Sequence, residues 1–421
     1  MKPASVPVLV LVPPTWIGGL GTMRSLGRLG VPVYGLAHRR RLVPNASRYC
    51  AGTFPVGEEG RPLGKPEELV EGLIRAGKRL GAGAILLAGT DEWAVFIAEH
   101  ADALERYFRF PRMPAELVAA LASKDGLNRL AGLHNVATPQ VARPRNADDA
   151  AMLATTLRYP VILKPLVSRP DVTFKAVAAD SAALLRAYRT MEEAPDAPNV
   201  MLQEYIPGRD EDVWMFNGYF DSQSNCLMGL TGRKLRQQPV HMGHCSLGVC
   251  RQNHAVIKTT VRFLHAVGYC GIVDIGYRFD HRDGQYKILD VNPRLGGAFR
   301  LFVDANGLDV VRALYLDLTD QPVPMVLPQD GRRWLREDSE LLSLWQYRRS
   351  DGLRIREWIH SLRGVKETAT FSLSDPLPFI ASMWKLALQT IQGKWRRRAE
   401  KRSAARLRLS TQAANPTVVT K

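Results

Sequence analysis

Two aspartates and one asparagine in the second half of the chain have the types and the spacing of a metal site. Asp274 lies in the segment DIGYRFD, and Asp290 and Asn292 lie in the segment DVNPR at the end of an apolar stretch. Alternate residues of a strand share a face, so two adjacent antiparallel strands would bring the three side chains together. Carboxylate and amide oxygens suit Mg²⁺, which keeps its other positions for phosphate oxygens. Arg294 continues the same register and would stabilise negative charge on a phosphoryl group in transfer.

Cationic residues elsewhere in the sequence are candidates for binding anions. Lys164 ends the buried apolar run PVILK before a proline, where a lysine usually has a partner. Lys124 lies in the triplet SKD within a helix that we predict over residues 116–133. Residues 231–239 (TGRKLRQQP), which include Lys234 and Arg236, are dense in cations, and we interpret them as a basic loop. The alternatives are that Lys124 is an ordinary surface residue, that residues 231–239 form a solvated basic hairpin, and that the two aspartates are turn residues.

Cysteine and histidine give weaker signals. His241, His244, Cys245 and Cys250 lie close together in the sequence, but their spacing fits no standard closed zinc site. No base can be assigned to Cys245, which argues against a cysteine nucleophile. The five cysteines of the chain form no regular framework, which is typical of proteins in a reducing compartment.

The order of the elements predicts an α/β domain at the start of the chain. A strand over residues 8–12 precedes a glycine-containing turn and a helix, and strands over 31–36 and 84–88 follow, with a helix over 66–80. This alternation is typical of a parallel sheet, and we predict a Rossmann-like domain over residues 1–115. The turn lacks the third glycine of a dinucleotide fingerprint and no acid follows the second strand, so nicotinamide or flavin binding is not favoured.

The remainder of the chain changes to an α+β pattern. We predict a second domain over residues 116–325, with a flap subdomain at about 138–205. The prediction rests on long alternating strands, a helix over residues 255–267 and the two segments that contain Asp274 and Asp290. Residues 326–393 are predicted to form a helical C-terminal extension with an amphipathic helix. We expect residues 394–421 to be a disordered basic tail.

With these motifs in this order, the chain resembles the ATP-grasp superfamily over about residues 5–320. The resemblance implies a Rossmann-like domain followed by an ATP-grasp fold, with ATP and Mg²⁺ bound between two subdomains and Mn²⁺ as a second candidate metal. It assigns the nucleotide phosphates to Lys124 and Lys164, the adenine to Gln203, Glu204 and Ile206, the ribose to Glu211, the metal to Asp274, Asp290 and Asn292, the transferred phosphate to Arg294, and the acceptor to Lys234 and Arg236. The sequence departs from the family in the flap, because residues 166–175 contain no glycine.

A closer resemblance suggests the reaction. Residues 233–236 (RKLR), the segment DVNPR and residues 375–378 (DPLP) are similar to predicted carboligases that include D-aspartate ligases. This likeness implies a carboxylate–amine ligase, in which ATP phosphorylates a carboxylate and an amine attacks the acyl phosphate. The substrates would be a small carboxylate and an amine, with an acidic amino acid or a cell-envelope precursor among the candidates. The alternatives are another ATP-grasp reaction, of the carboxylase or carbamoyl-phosphate type, and a non-catalytic nucleotide-binding scaffold at a membrane.

The net charge of +16 favours an anionic partner. Half of it lies in residues 394–421, which hold nine Lys/Arg and one acid, so the rest of the chain is only mildly basic. No run of about 18 apolar residues is present, and we expect a cytoplasmic protein. The apolar and cationic residues of 378–421 suggest peripheral contact with the inner membrane surface, the alternative being that the helix packs on the body. No nucleic-acid-binding module is recognisable, and no nucleic acid partner is expected.

Overall fold

A computed structural model describes residues 5–37, 47–58, 60–81, 83–165, 176–192 and 200–384, together with 386 and 388. The flap segment 166–175 and the basic tail 394–421 lie outside the described residues. Of the amphipathic helix expected in the C-terminal extension, residues 377–384 are described, and they are helical.

Five parallel strands form the first sheet, and helices connect most of them, as the alternating sequence pattern predicts. The elements are β1 (Val8–Leu11), α1 (Ile17–Gly27), β2 (Val33–Leu36), β3 (Cys50–Phe54), α2 (Pro66–Leu80), β4 (Ala84–Ala88), α3 (Asp91–Glu99), α4 (Ala101–Leu104) and β5 (Phe108–Arg109). The strand order is β3-β2-β1-β4-β5, so the direction of winding reverses between β1 and β4. In sheets of this kind, ligands bind outside the carboxyl ends of the strands at such a switch point.

A four-stranded antiparallel sheet with two covering helices follows. The elements are α5 (Ala115–Ala122), α6 (Lys124–Leu133), β6 (Val141–Ala142), α7 (Ala147–Ala154), β7 (Val161–Pro165), β8 (Ala176–Ala178), α8 (Ser181–Glu192) and β9 (Val200–Glu204). The strand order is β6-β9-β7-β8, and α7 and α8 supply apolar residues to the core on the sheet. The sequence predicts one helix over 116–133, but the helix breaks at Ser123, whose side chain accepts a hydrogen bond from the Gly126 amide and so begins a new helix.

The largest sheet has seven strands in the order β14-β13-β10-β11-β12-β15-β16. Its elements are β10 (Val213–Phe220), β11 (Cys226–Gln238), β12 (His244–Cys250), α9 (His254–Ala266), β13 (Gly271–Asp280), β14 (Gln285–Asn292), α10 (Val310–Leu318), β15 (Arg333–Leu335), α11 (Glu337–Ser350), α12 (Ile355–Ser361) and β16 (Val365–Thr368). Single 3-10 turns lie at Asp210–Asp212 and Phe299–Leu301. All neighbours in this sheet are antiparallel except β15 and β16.

The expectation of a basic loop over residues 231–239 is wrong. Residues up to Gln238 continue strand β11 and pair with β12, from Gly232 opposite Cys250 to Gln238 opposite His244. The density of cations indicated a basic loop. The main-chain N–H and C=O groups of these residues nevertheless hydrogen-bond to the neighbouring strand, and such pairing does not depend on the charge of the side chains. The register shifts twice near Arg236, which decides where the cations of this strand point.

The C-terminal extension is bound to both earlier parts of the chain. Strands β15 and β16 extend the large sheet, and Asp375 reaches the first domain, where its carboxylate accepts hydrogen bonds from Arg24 Nε at 2.9 Å and Ser47 Oγ at 2.8 Å. The Arg24 and Asp375 side chains are both almost fully buried. Removing one partner of such a pair leaves a buried charge uncompensated, so this contact holds the extension in place.

Candidate active site

The residues of the predicted metal site, Asp274, Asp290 and Asn292, lie on two adjacent antiparallel strands, as the alternation of the sequence predicts. In the register of β13 and β14, Asp274 lies opposite Asn292 and Gly276 lies opposite Asp290. Glycine at 276 leaves the space that the carboxylate occupies, because a Cβ there would overlap with Asp290 Oδ1. The hairpin therefore brings the two carboxylates and the amide to one face of the sheet.

Arg294 contacts two of the residues on this face. Its Nη2 donates to Asn292 Oδ1 at 2.9 Å, and its Nη1 lies 3.9 Å from Asp274 Oδ2. The Asn292 amide nitrogen donates to the main-chain oxygen of Asp274 at 2.9 Å and lies 3.4 Å from Asp290 Oδ2. Asn292 thus contacts the other three predicted residues, and Arg294 also lies close to Asp274.

The two carboxylates differ in proton affinity. Burial raises the pKa of Asp274, with the positive charge of Arg294 opposing the shift. Burial also opposes ionisation of Asp290, but the charges of Lys124 and Lys234 outweigh it, so the pKa of this carboxyl is lowered. Asp290 is therefore the more firmly anionic of the pair.

Two of the predicted lysines, on different elements, lie near enough for their charges to lower the pKa of Asp290. Lys124 opens α6, and its Nζ donates to the main-chain oxygen of Leu289, next to Asp290. Lys234 lies on β11, where its Nζ donates to the Gly243 oxygen at 2.9 Å. Together with Arg294 they place three cations around one acidic face.

The structure does not bring Arg236 to this face. Its side chain is almost fully buried, and its Nε donates to Glu340 Oε1 at 2.5 Å while its Nη2 donates to Ser361 Oγ at 2.7 Å. The register shift of β11 turns Arg236 toward helices α11 and α12. A buried arginine with these partners has a structural role, so the prediction that Arg236 binds the acceptor is corrected. The assignment of Lys234 to the acceptor stays a prediction.

The residues assigned to adenine and ribose lie on the smaller antiparallel sheet and the segment after it. Lys164 on β7 hydrogen-bonds to Gln203 on β9, and Ile206 is buried. The Glu204 carboxylate is already engaged, since it accepts hydrogen bonds from Arg282 Nη2 at 2.5 Å and from the Gln140 amide at 3.2 Å. Any contact of Glu204 with adenine would therefore come from its main chain.

Glu211, the residue assigned to ribose, is half exposed in the turn that precedes β10. Arg233 on β11 donates through Nε to the main-chain oxygen of Glu211 at 2.6 Å, and its Nη2 lies 3.4 Å from the carboxylate. The carboxylate remains accessible to a hydroxyl group. These assignments stay predictions.

Asp91 belongs to the same cluster and was not among the residues predicted from sequence. It follows β4 at the switch point of the parallel sheet, where Thr90 caps α3. Arg294 Nε donates to Asp91 Oδ1 at 3.1 Å, and the Leu295 amide donates to the Ala88 oxygen at 3.2 Å. Burial raises the pKa of Asp91, against the charge of Arg294. A carboxylate directly after a strand at a switch point is the signal that could have found it.

Asn217 is a second residue that the sequence reasoning missed. It lies on β10 directly opposite Asp274, is fully buried, and hydrogen-bonds to the Asp274 side chain, which counteracts the rise in the pKa of Asp274. Strand β10 is buried at every position, so a single amide within it is the available sequence signal. Buried polar groups of this kind fix the orientation of the groups they contact.

Two carboxylates and one amide form a donor set that fits Mg²⁺. The Asn292 nitrogen faces both aspartates and its oxygen accepts a hydrogen bond from Arg294, so Asn292 would bind a metal ion through its oxygen only after the amide had turned over. Within the described ranges, no group of three or more His, Cys, Asp or Glu side chains is arranged to hold a metal ion.

The residues weighed for zinc or nucleophilic chemistry have other surroundings. His241 Nδ1 contacts Asp210 at 3.0 Å and His244 Nε2 contacts Ser339 Oγ at 2.8 Å. Burial raises the pKa of Cys245 and of Cys250 to about 12 in each case. Both thiols therefore stay protonated at neutral pH, and neither is an activated nucleophile.

Comparison of sequences relates parts of the chain to an ATP-binding domain and to a ligase. Residues 127–315 match the family described as carbamoyl-phosphate synthase L chain, ATP binding domain. D-aspartate ligase of Enterococcus faecium (strain Aus0004) is 25% identical over 240 residues, which cover 54% of this chain and 57% of that protein. The N-terminal section of the carbamoyl phosphate synthase large chain of Methanopyrus kandleri is 22% identical over 173 residues, covering 40% and 30% respectively. The matched residues thus cover little more than half of the length of the D-aspartate ligase and less than a third of the length of the carbamoyl phosphate synthase section.

Comparison with solved structures is consistent with the comparison of sequences. The L-amino acid ligase of Bacillus licheniformis superposes with a TM-score of 0.58 at 14% identity, over 78% of each chain. The biotin carboxylase domain of the Hydrogenobacter thermophilus 2-oxoglutarate carboxylase, solved with MgADP, superposes with a TM-score of 0.59 at 14% identity, over 78% of this chain and 73% of that one. The chain therefore has the mixed α/β and α+β fold of the ATP-grasp enzymes. Its resemblance to the ATP-grasp superfamily is confirmed.

Proposed function

We propose that the chain is an ATP-dependent carboxylate–amine ligase that forms an amide and releases ADP and phosphate. The observation that carries this proposal is the cluster in which Asp274 and Asp290 lie among three cations, Lys124, Lys234 and Arg294. Carboxylates attract a divalent cation, and the surrounding cations bind phosphate oxygens, so the combination suits a nucleoside triphosphate.

Each residue of the cluster has a distinct part in the proposed reaction. Asp274, Asp290 and Asn292 would hold Mg²⁺, which would neutralise charge on the terminal phosphates. Lys124 and Lys164 would position the phosphates as point charges. Arg294 would stabilise the charge of the acyl phosphate, since its guanidinium already contacts Asn292 and lies close to Asp274.

The reaction would proceed in two displacements. An oxygen of the substrate carboxylate would attack the γ-phosphorus of ATP, and the bond between that phosphorus and the ADP oxygen would break. The amine would then attack the acyl carbon, forming the C–N bond as the bond to phosphate breaks and the amine loses a proton. Neither step requires a protein nucleophile, because positioning and charge neutralisation lower both barriers.

An amino acid is the substrate class that best suits the junction with the N-terminal sheet. Asp91 and Arg294 offer a carboxylate and a guanidinium 3.1 Å apart, and both are partly exposed. The two ends of a zwitterion could replace this mutual contact with two charge-assisted hydrogen bonds. D-aspartate ligase is by its name specific for an acidic amino acid, and we propose a small acidic amino acid as one substrate and a cell-envelope precursor as the other.

Product analysis with pooled substrates tests this proposal. The protein would be incubated with Mg²⁺-ATP, pooled carboxylates and pooled amines, including amino acids and cell-wall precursors, and mass spectrometry would follow ADP and coupled products. We expect an amide product that disappears in the Asp290→Ala, Asn292→Ala double variant. The same assay with bicarbonate and ammonia in place of the pooled substrates tests for a carbamoyl-phosphate reaction, and with bicarbonate and biotin as the acceptor it tests for a carboxylase reaction. ATP binding without ADP formation under every condition would instead favour the non-catalytic scaffold.

A further inference from the structure

Helix α11 buries its polar side and exposes its apolar side. The buried residues are Ser339, Glu340, Ser343 and Tyr347, which recur at helical spacing and face the body of the protein. The opposite side presents apolar residues to solvent, each about half exposed: Leu341, Leu342 and Trp345. A surface helix of a globular protein normally has the reverse arrangement.

Polar side chains on the buried side of α11 form hydrogen bonds and an ion pair with the body of the protein. Glu340 pairs with Arg236 and accepts from Ser246 Oγ at 2.8 Å. The Tyr347 hydroxyl accepts from the Gln237 amide at 3.0 Å and donates to Asp210. These bonds fix the orientation of the helix, so the exposure of its apolar side is a feature of the fold.

The next helix extends the apolar surface. None of the residues of α12 is fully buried; Trp358 Nε1 donates to Glu340 Oε1 at 2.9 Å and so attaches α12 beside α11. Ile355 and Ile359, one helical turn apart, are each more than half exposed. We call the exposed apolar residues of the two helices the α11–α12 surface; they are Leu341, Leu342, Trp345, Ile355 and Ile359.

The same helices and the residues just after them carry an excess of exposed positive charge. Between residues 341 and 366 the exposed cations are Arg348, Arg349, Arg354, Arg356, Arg363 and Lys366, against the exposed acids Asp351 and Glu357. The Arg349 guanidinium lies 3.7 Å from the centre of the Trp345 ring, so cations and apolar groups share one face. The partner of this surface must therefore be both apolar and anionic.

We propose that the α11–α12 surface binds a membrane with anionic head groups. A second copy of the chain would place cations against cations, because a two-fold interface repeats the same patch. Nucleic acid offers phosphates, but four of the five apolar residues are aliphatic and present no face on which a base can stack. A bilayer interface accepts aliphatic side chains and tryptophan below a layer of negative charge. In the part of the chain that the structure describes, no helix is long and apolar enough to cross a bilayer, so the contact would be peripheral.

This inference does not depend on the ligase reaction, and it concerns a different segment from the one that the sequence singled out. The 378–421 segment lies mostly outside the described residues, whereas the α11–α12 surface is described in full. The segment 371–384 exposes further apolar residues, which are Phe371, Leu373, Leu377, Ile380 and Trp384. More than half of the large exposed apolar residues in the described ranges thus lie between 341 and 384.

Flotation of the full chain with lipid vesicles tests the proposal. We expect binding to vesicles of phosphatidylcholine mixed with phosphatidylglycerol, weak binding to pure phosphatidylcholine, and a loss of binding as salt rises. Replacing two insertion residues, as in Leu341→Ser with Trp345→Ser, should lower the affinity for mixed vesicles about tenfold or more. Reversing two charges, as in Arg348→Glu with Arg349→Glu, should also lower the affinity for mixed vesicles about tenfold or more.

Matched variants elsewhere control for general effects. Leu133→Ser with Met152→Ser removes two exposed apolar residues, and Arg186→Glu with Arg189→Glu makes an equal charge change on α8. Both should bind vesicles as the unmodified chain does. The proposal is wrong if the unmodified chain does not bind mixed vesicles at low salt, or if the α11 variants bind equally well. It is also wrong if sedimentation shows a dimer that Leu341→Ser with Trp345→Ser converts to a monomer.

Discussion

A methyl group added at Gly296 probes the position of Asp274 without touching either carboxylate chemically. Gly296 lies two residues after Arg294 and packs against the Asp274 side chain. A Cβ at position 296 would lie 2.6 Å from both Cγ and Oδ2 of Asp274. The neighbouring Gly297 has nothing within 4 Å of its own Cβ position, so Gly297→Ala is a matched control.

The size of the effect follows from this distance. Contacts between carbon and oxygen begin at about 3.3 Å, so the Asp274 carboxylate in Gly296→Ala must retreat by about 0.7 Å. The end of an aspartate can turn, and leaving its preferred rotamer costs about 1 kcal/mol. Misplacement of a catalytic group by about 1 Å, however, costs on the order of 100-fold in rate. We therefore expect a folded protein with a large loss of activity.

The assay compares thermal unfolding with ADP formation in the two variants. Gly296→Ala should unfold within a few degrees of the unmodified chain but form ADP between about 10 and 100 times more slowly and need more Mg²⁺. Gly297→Ala should match the unmodified chain in both. If Gly296→Ala keeps the original rate and Mg²⁺ requirement, Asp274 is not a metal ligand and the site has been misassigned.

Three further predictions concern other parts of the molecule. Asp91→Asn should raise the KM of the amino acid substrate while ATP affinity is unchanged, because the substrate ammonium group loses the carboxylate proposed to bind it; an equal loss of ATP affinity would contradict the proposed substrate contact. Asp375→Ala leaves the buried Arg24 without its charged partner and should lower the free energy of unfolding by about 3–5 kcal/mol in denaturant titrations. A change below about 1 kcal/mol would contradict the conclusion that this ion pair holds the C-terminal extension in place. Cys245, whose pKa burial raises to about 12, should resist alkylation in the native protein at mildly alkaline pH, and rapid labelling seen by peptide mass mapping would show that it is accessible.

The hairpin that carries Asp274, Asp290 and Asn292 was predictable because its information is local. Period-two alternation places Asp290 and Asn292 on one face, and the short turn after Asp280 pairs their strand with that of Asp274. No contact with a distant part of the chain is needed for this arrangement. The same holds for helix α2 and strand β4, whose observed bounds equal the predicted ones.

The remaining features of the site depend on contacts between distant residues. Arg236 and Lys234 look equivalent in the sequence, but a register shift in β11 sends Arg236 to Glu340, 104 residues away. Asp91 meets Arg294 only because the switch point of the first sheet packs on the segment after β14. Strand pairing and packing of this kind are decided by the whole fold, so local pattern cannot supply them.

Calorimetric titration of ATP, with and without Mg²⁺, tests the central claim most directly, because it requires no knowledge of the other substrates. We predict that the unmodified chain binds ATP more tightly with Mg²⁺, and that the Asp290→Ala, Asn292→Ala double variant loses this difference while remaining folded. If the chain does not bind ATP, or binds it equally well without metal, then the carboxylate and lysine assignments are wrong.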